Sequence, residues 1–96
     1  MSNQHEGHRS RLKETCIENG IDSMNDINAL ELLLFFAIPR ADTNPLAHKL
    51  LDRFGSLDGV FKASREELME VDGIGENAAL LLTLVSGINK KRLSTY

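Results

Sequence analysis

Two glycines enclosing one isoleucine, Gly73-Ile74-Gly75, are the residues of this chain best suited to hold a ligand. Glycines on both sides of an aliphatic residue suit a tight turn in which the backbone visits φ > 0 while the isoleucine plugs the core beneath. Ala78, Ala79, Leu81 and Leu82 follow at once and open a helix. The first N–H groups of a helix have no intrahelical partner and point outward together, a concave arrangement that suits an anion such as phosphate. A corner that merely packs one helix on the next would use the same two glycines.

The other reactive side chains have no partner at a working spacing. His5 and His8 stand three apart around Glu6, which is not the spacing of a helical zinc site, and no third ligand follows. They read as exposed polar residues. Glu66 and Glu70 fall at i, i+4 on a face that reads as solvated, and Ser10, Ser64 and Cys16 have no base at motif spacing. The expectation is no catalytic residue, no metal, no cofactor and no small-molecule substrate.

Ninety-six residues with 42% apolar content make one small folded domain. A lone Cys16 excludes an internal disulfide and points to a reducing cytoplasm. No signal peptide is evident, and the longest apolar run, residues 32–38, is too short to span a bilayer. The net charge of −3 argues against a dedicated nucleic-acid binder, yet its distribution is uneven. Arg9, Arg11 and Lys13 near the start and Lys90, Lys91 and Arg92 near the end are basic, whereas acid gathers at 14–31 and 66–76.

Leucine and alanine outnumber β-branched residues and there are only two prolines, so the fold class is all-α, five or six short helices. A polar, flexible tail is expected over 1–7, a single domain over 8–92 and a C-terminal tail over 93–96. The first helix is expected from about Arg9 to Glu18 with Leu12, Cys16 and Ile17 inward, stopped by Asn19-Gly20. Asn25-Asp26 opens the second, whose buried stripe is Ile27, Leu30, Leu33, Leu34, Ala37 and Ile38, with Pro39 as its end. Asp42-Thr43-Asn44 and Pro45 begin the third, with Leu46, Ala47, Leu50, Leu51 and Phe54 on one side and Gly55 after it. Ser56 caps a short fourth helix to Ala63, and Ser64 with Glu67 reads as the capping box of a fifth ending near Val71. The sixth begins beside Gly75 and carries Ala78, Ala79, Leu82, Val85 and Ile88, with Gly87 as a weak point.

The spacing apolar–x–Gly–apolar–Gly–x–x–x–Ala, met here by Val71, Gly73, Ile74, Gly75 and Ala79, resembles the helix-hairpin-helix motif that holds the DNA backbone. At one constant offset Phe35 falls on Leu68, Ile38 on Val71, Asn44 on Asn77 and Leu51 on Leu84. Residues 39–42 then stand where 72–75 stand, which fits a second, degenerate hairpin with Arg40, Thr43, Asn44 and Lys49 along it. The resemblance implies a tandem helix-hairpin-helix domain.

The runs EGHRSRLKE, ALELLLFFAIPRADTNPLAHKLLDRFGSLDGVFKAS and LMEVDGIGENAALLL look like the N-terminal region of the RadC family over residues 6–92. Full-length members carry a C-terminal metalloprotease-like domain of the JAB/MPN type, whose zinc-binding residues do not occur here. The resemblance implies a DNA repair-associated protein. Its phosphate-binding residues would be Gly73, Ile74, Gly75 and Asn77, helped by Arg40, Thr43, Asn44, Lys49, Lys90 and Lys91. Asp72 and Glu76 beside the turn oppose a phosphate. Two functions are therefore expected: weak, non-sequence-specific grip on the DNA backbone, or a protein-interaction or dimerisation module without DNA binding.

Overall fold

The computed structural model describes residues 4–94, and every regular element among them is helical. Six α-helices follow in order: α1 Gln4–Asn19, α2 Asp26–Phe35, α3 Asn44–Phe54, α4 Leu57–Lys62, α5 Arg65–Met69 and α6 Glu76–Ser94, with a 3-10 turn Ile21–Ser23 after α1. The chain divides into two units, one ending at His48 and the other starting at Lys49, so that the division falls inside α3.

In the first unit, α1 starts at Gln4, five residues before the expected start at Arg9, so residues 4–7 belong to a helical turn while 1–3 lie outside the described residues. Gly20 stops it as expected, its N–H donating to Cys16 O at 2.9 Å. Leu12 is buried with Leu32 and Phe35, and Cys16 and Met24 pack against them. Ile17, expected inward, is exposed instead. Asn25 caps α2 by accepting the N–H of Asn28 at 2.8 Å. The helix ends at Phe35, well before Pro39, in a tightened turn where Phe36 N–H donates to Leu33 O at 3.2 Å and Ala37 N–H to Leu34 O at 3.1 Å. Its buried residues are Leu30, Glu31, Leu32, Leu34 and Phe35. Ile27, Leu33, Ala37 and Ile38 are only half-buried, so the single expected stripe is replaced by burial on several sides.

In the second unit the local signals hold. Gly55 N–H closes α3 on Leu51 O at 2.8 Å. Ser56 accepts Gly59 N–H, and the reciprocal capping box of Ser64 and Glu67 is formed at 3.1 and 2.9 Å. α4 and α5 both pack against α6. Leu50, Val60, Leu68, Val71, Ile74, Ala78, Ala79 and Leu82 are buried. α6 passes through Gly87 unbroken, and Ile88, expected inside, is 50% exposed, while Val85 is 36% exposed. No helix among the described residues is long and apolar enough to cross a membrane.

Candidate nucleic-acid interface

The turn at residues 70–75 is built by short-range bonds. Val71 N–H donates to Leu68 O at 3.1 Å and Ile74 N–H to Val71 O at 3.0 Å, which folds the chain back after α5. Gly73 takes φ 96°, a conformation that a side chain disfavours. Ile74 is buried, as the plug of the turn should be. The first intrahelical bond of α6 runs from Ala79 N–H to Gly75 O at 3.0 Å, leaving the N–H groups of Glu76, Asn77 and Ala78 at the open start of a 19-residue helix. A shallow hollow of about 430 Å³ lies over Asp72, Gly73, Ile74 and Gly75.

Gly75 differs from Gly73. It does not have positive φ, and a Cβ built on it meets no atom within 4 Å. Neither turn geometry nor internal packing requires glycine there. The charges nearby are mixed: Asp72, Glu76 and Asn77 are exposed, and Glu76 Oε1 stands 3.8 Å from an Arg65 nitrogen. Lys90 and Lys91 do not reach this site, because they follow Gly75 on the same helix at a rise of about 22 Å.

The loop between α2 and α3 is wired inward. Glu31 is buried without exposed surface, and its Oε2 lies 2.7 Å from His8 Nε2, whose N–H donates to it. Asn44 Nδ2 donates to Glu31 Oε1 at 3.3 Å, and the buried Thr43 hydroxyl donates to Glu31 O at 3.1 Å. Arg9 donates to Ile38 O at 2.7 Å and to Ala41 O, with its guanidinium 4.3 Å from the centre of the Phe35 ring. Thr43 and Asn44, expected to line a degenerate phosphate site, instead turn inward, Asn44 to the Glu31 carboxylate, which needs donors when buried, and Thr43 to the Glu31 main-chain carbonyl. Arg40 and Lys49 are exposed, in different units.

His8, read from sequence as an exposed polar residue, is a partner of that carboxylate. Reading by residue type missed His8, Arg9 and Glu31. The available signal was Glu31 itself, a charge set inside the run ALELLLFF, where an ionised group must be paired. No group of three or more His, Cys, Asp or Glu among the described residues is placed to hold a metal ion.

The class defined by these observations is a small all-helical domain in which the turn at residues 70–75 leads to an open helix start and the loop between α2 and α3 is closed by internal bonds. Residues 4–80 match the UPF0758 N-terminal family, and the chain belongs to that family, which is RadC-like. Over 80 residues it is 49% identical to UPF0758 protein FN0909 of Fusobacterium nucleatum subsp. nucleatum, covering 83% of this chain and 34% of the relative. The chain thus spans about a third of the length of that relative. No solved structure matches it.

Proposed function

We propose that this domain is the DNA-contacting part of a RadC-like protein and grips a backbone phosphate at Gly75, Glu76 and Asn77 without reading bases. The observation that carries the reading is Gly75, a glycine that neither its φ nor its neighbours require, standing where the helix start is bare. Close backbone approach of a ligand is a reason for glycine at such a position. The N–H groups of the first turn and the positive end of the α6 dipole supply the attraction. Asp72 and Glu76 oppose it, so affinity at physiological salt belongs in the weak non-specific range, about 10⁻⁴–10⁻⁶ M. The reading assigns no catalysis, cofactor or metal to these residues. By family resemblance, the metalloprotease-like chemistry belongs to the additional length of the relatives.

Fluorescence anisotropy with a labelled duplex, at low and physiological salt, tests this. Gly75→Ala places a methyl in open space, so circular dichroism and thermal melting should match the parent while DNA binding weakens. Gly75→Val should weaken it more. Unchanged binding by a folded Gly75→Val, or no parent binding at low salt, refutes the phosphate grip. The second reading, a protein-interaction module, is favoured by Leu80, Leu84 and Ile88, which stand exposed one turn apart along α6.

A further inference from the structure

The side of the second unit where α4 meets α6 holds a groove of about 660 Å³. Its apolar lining is Leu57 and Phe61 from α4 and Val85 and Ile88 from α6. Its charged lining is Lys62, Lys90 and Arg92 against Asp58 alone. That carboxylate is engaged by Lys62 at 2.9 Å. On a chain whose net charge is −3, this is a locally cationic rim around an apolar floor. Ile88, half exposed, forms part of that floor and meets water in this structure.

We infer that this groove docks an acidic amphipathic helical segment of a protein partner, with apolar side chains between Phe61 and Ile88 and carboxylates toward Lys90. The inference is independent of the phosphate grip at Gly75, about 20 Å away along α6. Each half of the lining selects the occupant. Cations alone would suit a nucleic acid, but a phosphate backbone gains nothing from four apolar side chains, which are hydrophobic anchors of the kind that helix-in-groove recognition uses. Apolar lining alone would accept any hydrophobic helix, but the excess of cations favours acidic sequences and repels basic ones.

The test is a titration of the isotope-labelled 96-residue chain, followed by amide NMR shifts, with a synthetic helical peptide of roughly 15 residues. The peptide carries leucines at i, i+3, i+4 and i+7 and glutamates elsewhere. Its shifts should centre on Leu57, Phe61, Val85 and Ile88. Ile88→Glu, a change at an exposed position, should keep the helical circular dichroism and weaken binding roughly tenfold or more. Lys90→Glu should weaken binding with the fold also unchanged. A peptide with lysines in place of the glutamates should not bind. Equal binding of the two peptides, shifts centred elsewhere, undiminished binding by Ile88→Glu, or groove shifts produced by duplex DNA in place of the peptide would each overturn the inference.

Discussion

His8 on α1 and Glu31 on α2, 23 positions apart, share a 2.7 Å hydrogen bond between a fully buried carboxyl and an imidazole that is 41% exposed. The histidine therefore faces water on one side and carries an interior group on the other. Removing the imidazole leaves the buried carboxyl one donor short, which is the expensive way to break the bond. Glu31→Ala removes the buried group itself and leaves a half-exposed imidazole that water can satisfy, so it should destabilise the fold by about 1–3 kcal/mol in urea unfolding. His8→Ala should do so by about 1–3 kcal/mol, because Asn44 still donates. Adding His8→Ala to Glu31→Ala should change stability far less than His8→Ala does alone. Strict additivity would show that the two side chains are not coupled.

Two glycines should respond differently to the same methyl. At Gly59 a Cβ would stand 2.0 Å from Phe54 O, so backbone has to move where α4 crosses the end of α3. Gly59→Ala should lower stability by about 1–3 kcal/mol. Gly75→Ala should stay within about half a kcal/mol, since its Cβ meets nothing. Thermal melts of both variants decide it, and equal losses would contradict the geometry of one turn or the other.

At the helix start, Glu76 competes with an incoming phosphate for the same positive end and also engages Arg65. Glu76→Gln removes the repulsion and releases the guanidinium, so both effects act in one direction. DNA affinity at low salt should rise roughly two- to fivefold, the range expected for a charge at a helix terminus. Anisotropy with the same duplex checks it, and an unchanged or weaker affinity would remove the phosphate from Glu76's vicinity.

The capping box should be visible in acid. The Ser64 N–H, and then the Ser64 hydroxyl, hold the Glu67 carboxyl below its ordinary 4.5. A carboxyl whose folded value is depressed contributes stability above its unfolded value, and that contribution is lost as pH falls through the folded value. A carboxyl ¹³C titration should place the Glu67 midpoint below 4.5, and Ser64→Ala should bring it part of the way back, the N–H remaining. A midpoint unmoved by Ser64→Ala would exclude the hydroxyl as a cause.

Helix boundaries set by short-range bonding were legible in the residues themselves. Asn25, Ser56 and Ser64 act within three positions along the chain, and Gly20 and Gly55 within four, so the bonds they make are written locally. The early start of α1 was not legible. His8 and Arg9 are tied to groups 23 and 29 positions away, and no local pattern announces such partners. The same division runs through the two connecting turns. Gly73 and Ile74 declare a turn and a plug by type, whereas Asn44 turns inward to the Glu31 carboxylate and Thr43 to a main-chain carbonyl 12 positions away. Lys90 and Lys91 were grouped with the turn by charge, but the unbroken course of α6 carries them several helical turns away.

Arg9 binds carbonyls 29 and 32 positions ahead of it, and its neighbour His8 holds the buried carboxylate. The opening turns of the chain thus serve as a cork for the loop between α2 and α3. Trimming the protein to begin at Ser10 would uncork it in a single cut. That cut would strip two carbonyls of their Arg9 donor and leave the buried Glu31 carboxyl with Asn44 alone.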